Sequence, residues 1–150
     1  MTQNKSLNSL LVPVDFSDGS REAFQWALDH VDRDDATIVL LHVIDEQLVD
    51  LIAGDGFAEK DDAVNRLRAQ AEKRMREYAK TDSTIQVDTM ISVGIPFLEI
   101  IRKADDFAVD AIVMSKVGMA GRFEKLLFGS TAEKVLRGSQ RPVVVLAGKS

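Results

Sequence analysis

Short apolar runs alternate with helical apolar stripes along this chain. Leu10–Val14 ("LLVPV") is closed by Asp15 and Ser17 and reads as a buried strand. Phe24, Ala27, Leu28 and Val31 fall at i, i+3, i+4 and i+7, which marks one face of a helix over Ser17–Val31. Asp32–Asp35 is a polar break. Thr37–Ile44 ("TIVLLHVI") is a second strand, apolar almost throughout, as expected where a sheet is covered on both faces. Residues 45–57 ("DEQLVDLIAGDGF") are partly apolar and contain Gly54 and Gly56, so they read as a mobile connection or a short helical piece.

The second half repeats the alternation. Val64, Leu67, Ala71, Met75 and Tyr78 keep one helical face. Ile85, Val87, Thr89 and Ile91 then alternate with polar residues and predict a third strand. Gly94 permits a sharp turn, and Pro96 suits the first turn of a helix whose inner face is Phe97, Ile100, Ile101 and Ala104. Val109–Met114 is the fourth strand. Ser130 and Glu133 match an S-x-x-E capping box, which starts a short helix at Ser130, and Gly138 ends it. Pro142–Leu146 ("PVVVL") is the fifth strand.

Strand and helix thus alternate four times before a last strand. This order specifies an α/β fold with a parallel sheet and helices on both faces. Right-handed crossovers and two covered faces require the chain to wind outward in both directions from its first strand, and with five strands 3-2-1-4-5 is a natural order. The architecture is Rossmann-like. Residues 1–150 read as one domain, with residues 1–8 as a flexible N-terminus. In such a sheet the ligand crevice lies beyond the carboxyl ends of strands one and four. Asp15 stands on one lip, and the segment from Ser115 to Thr131 on the other.

Composition narrows the chemistry. The chain has 150 residues, 45% hydrophobic and 29% charged, and a formal net charge of −5. That surface repels a phosphate backbone, so nucleic acid is a poor partner. The chain lacks cysteine, which removes thiolate catalysis, zinc–thiolate sites and disulfides together. Neither a signal peptide nor a membrane span is visible, so the expected location is the cytoplasm. His30, late in the first helix, suits a cation at the negative helix end. His42, inside an apolar strand, reads as a hydrogen-bonded core histidine. Asp34-Asp35 and Asp61-Asp62 read as solvated charge. The sequence presents no residue that stands out as a water-positioning group for hydrolysis.

The segment "SKVGMAGRFEKLLFGSTAEKV" carries the remaining chemistry. Gly129-Ser130-Thr131 opens a helix whose first amide hydrogens lack intrahelical partners and carry the positive end of the helix dipole. A phosphate there would accept their hydrogen bonds and those of the Ser130 and Thr131 hydroxyls. Gly118 and Gly121 would bend the loop around it. Lys116 and Arg122 would neutralise its charge, or else stand solvated at the surface. The competing reading is plain: the glycines make turns and Ser130 caps a helix. The loop is neither a Walker A sequence nor G-x-G-x-x-G.

The chain resembles the universal stress protein family. The likeness rests on "LLVPVDFSDGSREAFQWA", "IVLLHVIDE", "VGIPFLEIIRKADDFAVDAIVMSKVG" and "GRFEKLLFGSTAEKVLRGSQRPVVVL". It implies an adenine nucleotide alpha hydrolase-like fold that binds ATP or AMP, with or without Mg2+. Nucleotide-binding members carry G-x2-G-x9-G-[ST]. Here Ser115 stands at the first glycine, Gly118 at the second, and Gly129-Ser130 at the last pair. Ten residues separate Gly118 from Gly129, one more than the pattern has. The resemblance also assigns Pro13, Val14 and Asp15 to the adenine and ribose side, Val43 to an apolar adenine contact, and Met114 to the approach to the loop. Thr131 lies beside the last phosphate amides. For Asp15 the alternative is a turn or helix cap; for Val43 and Met114 it is core.

An exposed apolar edge strand invites pairing. The family likewise implies a homodimer through Pro142–Leu146. Two functions follow. One is a dimeric switch that binds ATP or AMP and changes a surface seen by a protein client. The other is a dimeric interaction module that holds no nucleotide. A flavodoxin-like redox protein shares the topology and is a third reading.

Overall fold

The computed structural model describes residues 7–32, 34–116 and 129–147. Five parallel strands form one sheet in the order β3-β2-β1-β4-β5. They are β1 (Ser9–Pro13), β2 (Thr37–Asp45), β3 (Gln86–Gly94), β4 (Ala111–Ser115) and β5 (Val143–Leu146). The helices are α1 (Asp18–His30), α2 (Glu46–Ala53), α3 (Phe57–Tyr78), α4 (Pro96–Asp106) and α5 (Ser130–Gly138).

Strand alternation sorts the core into two layers. Leu10, Val12, Val14, Ile38, Leu40 and Val113 pack with Phe24 and Ala27 of α1 and Met75 and Tyr78 of α3. Leu11, Val39, Leu41, Ile112 and Met114 face the other way, toward Ile100 and Ala104 of α4 and Ala132 and Val135 of α5. Successive side chains on a strand point to opposite faces, so an unbroken apolar run serves both layers. A smaller cluster of Ile44, Val49 and Ala63 joins α2 and α3 to the sheet.

Three local readings change. Residues 46–53 are a helix: the Asp45 side chain accepts from the Gln47 amide at its start, and Gly54 closes it at φ 66°. Gly94 makes no left-handed turn. It is the last residue of β3, paired with Asp45, and a Cβ there would stand 2.9 Å from Glu99 Cγ. Its need for glycine is close approach by a buried glutamate. Ser130 is not a capping residue. Gly129 is the N-cap of α5, and Glu133 pairs with Arg137 at 2.9 Å. An S-x-x-E match cannot tell an N-cap from the first helical residue.

Candidate functional site

The sheet opens where β1 and β4 part. β1 pairs with β2 as far as Pro13↔Leu41, and β4 with β5 as far as Ser115↔Leu146. Between β1 and β4 the pairing ends at Leu11↔Ile112. The carboxyl halves of these two central strands therefore flank a cleft at the topological switch point, where ligands of open α/β sheets bind.

On the β1 side, the chain turns sharply after Val14. The Val14 amide donates to the Leu41 carbonyl at 2.8 Å. His42 Nδ1 stands 2.7 Å from the Val14 carbonyl oxygen. A carbonyl only accepts, so Nδ1 of the neutral ring carries the proton. Both backbone groups of Val14 are thus engaged, and its side chain is buried on the α1/α3 face, away from α5. Asp15 is exposed, and its Oδ1 accepts from the Ser17 amide at 3.0 Å and from the Ser17 hydroxyl. Ser17 Oγ in turn accepts from the Ser20 amide at 3.1 Å and caps α1. So Asp15 does close a turn and orient a cap.

Phe16 lies between them at φ 64°, a left-handed conformation that costs a bulky residue energy. Packing holds it there. Its ring centroid is 4.7 Å from His42 and 5.7 Å from Tyr78, and the Arg74 guanidinium sits 4.1 Å above it. A cation–π contact between the β1–α1 turn and α3 leaves no local pattern, so the sequence does not single out Phe16 and Arg74. Such strain, held by surrounding contacts, is common at binding sites.

His42 has a pKa held below the ordinary imidazole range. Burial disfavours the cation and outweighs the Val14 carbonyl; Arg74 repels the charge, and Asp15 attracts it more weakly. Below the ordinary value of about 6.5 an unfolded chain takes up a proton that the folded chain resists. Stability is therefore expected to fall as pH drops from about 7 to about 5.5, a slope that His42→Asn should flatten. Urea unfolding at several pH values checks it. Equal slopes for both proteins would remove His42 as the cause.

On the other lip, the ends of the glycine segment are drawn together. The Lys116 amide donates to the Leu146 carbonyl at 2.7 Å, and the Lys116 carbonyl accepts from the Gly129 amide at 2.8 Å. This differs from the expected arrangement: the Gly129 hydrogen is spent on the chain itself. Ser130 and Thr131 are the first two residues of α5, and the Gly129 cap supplies no side-chain acceptor to their turn. Ser115 is half-buried at the end of β4. Gly118, Gly121 and Arg122 lie outside the described residues.

Strand parity puts several assigned residues on one face. Met114 is buried among Leu11, Leu41 and Val135, and Val43 packs at the edge of the same cluster. Pro13 shares the parity of Leu11. These positions and the start of α5 therefore sit on the α4/α5 side of the sheet. Val43 is paired with Ser92, whose buried hydroxyl has no hydrogen-bond partner among the described residues. Sequence reasoning missed Ser92 too, since a serine in an alternating strand reads as solvent-facing.

Among the described residues, no group of three or more His, Asp or Glu side chains is placed to hold a metal ion. No described helix is long and apolar enough to cross a membrane.

Residues 7–147 match the family model described as "Universal stress protein family". The chain belongs to the universal stress protein family. Among its relatives is universal stress protein MJ0577 of Methanocaldococcus jannaschii, 30% identical over 94% of this chain and 95% of that one. A solved structure of MJ0577 superposes with a TM-score of 0.83, covering 95% of this chain and 96% of that chain. Universal stress protein UspA from Lactobacillus plantarum, 26% identical, gives 0.72 over 95% of this chain and 99% of that one. A more distant universal stress protein from Archaeoglobus fulgidus, solved in complex with dAMP, shares the fold at 18% identity and a TM-score of 0.55, over 93% and 96% of the two chains.

Proposed function

We propose that this universal stress protein binds an adenine nucleotide, ATP or AMP, in the cleft between β1 and β4 and acts as a dimeric switch. The observation that carries this reading is the start of α5. It opens beside the parted strands, and its cap residue, Gly129, brings no side-chain acceptor to the first turn. Amides so placed favour an anion through direct hydrogen bonds and the helix dipole. The Thr131 and Ser130 hydroxyls stand at the same turn.

The opposite end of the cleft suits a base. Val43, half-buried at the edge of the α4/α5 layer, offers an apolar wall. Asp15 would accept from the ribose or base while it holds Ser17. Magnesium, when present, would arrive on the phosphates, since this ion is commonly held through substrate phosphates. The dAMP complex of the distant Archaeoglobus fulgidus relative is in keeping with an adenylate ligand. Calorimetry of the apo protein with ATP, with AMP and with GTP, each with and without magnesium, tests the reading. Binding of the adenine nucleotides alone supports it; heats indistinguishable from buffer in every titration would end it.

A second reading has its own support. The Gly129 amide already donates to Lys116, which leaves the anion one donor fewer than expected. If that bond persists in solution and excludes phosphate, the chain is a dimeric interaction module. Acid-precipitated protein would then release no adenine nucleotide.

The dimer in both readings runs through β5. Ile112 donates to the Pro142 carbonyl and Lys116 to the Leu146 carbonyl. Residues in a parallel strand alternate the side to which both backbone groups point. Val143 and Val145 therefore aim their amides and carbonyls away from β4, at the sheet edge. Val145→Pro removes an outward amide and leaves the β4 ladder whole. The expected outcome is a folded monomer in sedimentation velocity where the parent chain is a dimer. A variant that still sediments as a dimer would place the interface elsewhere.

A further inference from the structure

The connection between β2 and β3 carries a surface that neither the cleft nor the β5 edge uses. On α2, Val49 is buried and Ala53 packs beside it, so the helix already has an inner face. Yet Leu48, Leu51 and Ile52 form a second stripe at i, i+3 and i+4, exposed by 49%, 84% and 55%. Phe57, the first residue of α3, is 87% exposed. Single exposed apolar residues are ordinary, but four large ones within ten positions of one helical turn-back form a patch.

The patch is held in shape. Gly54 ends α2 in a left-handed conformation, with its amide on the Asp50 carbonyl at 3.0 Å. Lys60 Nζ reaches Asp50 Oδ1 at 2.8 Å and ties α3 back to α2. The apolar side chains are therefore presented by two braced helices.

Charge selects the occupant. Residues 45–62 hold seven carboxylates (Asp45, Glu46, Asp50, Asp55, Glu59, Asp61, Asp62) and one cation, Lys60, already paired with Asp50. This stretch alone is more negative than the whole chain at −5. A second copy would bring the same charge to the same place. An anionic membrane would be repelled. A metal is not favoured, since the described carboxylates form no cluster fit to hold one. The occupant that satisfies both features has an apolar stripe flanked by lysine or arginine. β3 and β5 are opposite edges of the sheet, so a β5 dimer leaves this side uncovered.

We propose that the α2–α3 turn is a docking surface for a cationic amphipathic helix of a partner protein. Leu48, Leu51, Ile52 and Phe57 receive its apolar face, and the surrounding carboxylates receive its basic flanks. In such recognition the partner helix lays its own apolar stripe on an apolar surface, and opposite charge raises the rate of encounter. The proposal does not depend on nucleotide binding.

A fluorescein-labelled peptide of about 18 residues, with leucine and lysine at helical spacing, is the probe. Fluorescence anisotropy with the full chain should show saturable binding at micromolar concentration, weakened by salt. The same peptide with glutamate for lysine should not bind. Leu51→Ser with Phe57→Ser should weaken binding at least about tenfold, as loss of central apolar anchors does. Glu46→Gln with Asp55→Asn should weaken it less and reduce the salt dependence. Circular dichroism of both variants should match the parent.

Four results would overturn the proposal. They are no binding of the lysine peptide below about 1 mM, equal binding of both peptides, unchanged binding by the double serine variant, and adsorption of the protein to phosphatidylcholine vesicles in place of the peptide. Self-association that depends on Leu51 and Phe57 without peptide binding would also overturn it and assign the patch to a second copy.

Discussion

Gly129→Asp is expected to abolish adenine-nucleotide binding while leaving the fold as stable as before, or slightly more so. Gly129 has φ −61° and ψ 154°, which any residue adopts without strain. Aspartate is a favoured N-cap, and its carboxylate would accept from the first turn of α5, a gain over glycine of a few tenths of a kcal/mol. That carboxylate would occupy the position proposed for phosphate. Two charges about 4 Å apart at an effective dielectric near 20 repel by about 4 kcal/mol. Binding should weaken by at least about a hundredfold. Calorimetry with ATP and magnesium reads the affinity, and thermal unfolding reads the fold. Gly129→Asn, which caps without the charge, should lose less. If the aspartate variant binds ATP as the parent does, phosphate does not rest at α5.

Leu40→Ala should produce the largest loss of stability. Leu40 is fully buried in β2, between β1 and β3, and packs in the layer of α1 and α3. Truncating such a leucine costs about 2–5 kcal/mol through lost transfer energy and the cavity left behind. For a chain of this size each kcal/mol lowers the melting midpoint by roughly 2–4 °C. Leu51→Ser, on the exposed face of α2, should change stability by no more than about 0.5 kcal/mol. Urea unfolding of both variants makes the comparison. Similar losses at the two positions would mean that Leu51 is covered in solution.

The two leucines show how far pattern reading reaches. Each sits in a short apolar run, and periodicity alone gives Leu51 no less claim to the core than Leu40. Burial separates them because α2 has two apolar stripes and only one sheet to cover. The segment from 45 to 57 was ambiguous for the same reason. Eight residues of helix between Asp45 and Gly54 give too short a window for the period to declare itself.

The candidate site was legible unevenly. Asp15, Gly129 and Thr131 could be named because residue type and strand order place them at the ends of strands one and four. Phe16, Arg74 and Ser92 could not. Phe16 adopts a left-handed conformation that its sequence disfavours, and Arg74 holds it from a helix about sixty positions away. Val14, assigned to the pocket by resemblance, turned its side chain to the opposite layer.

By itself the sequence determined the alternation of five strands with four helices and the parallel sheet, for which 3-2-1-4-5 is a natural order, and it left α2 open. Local periodicity and the handedness of crossovers suffice for these. Tertiary structure alone decided which amide at the start of α5 is already spent, which carbonyl fixes His42, and which apolar stripe faces water. Each depends on distances between segments far apart in the chain, and hydrogen bonds and burial are set by those distances rather than by any run of residues.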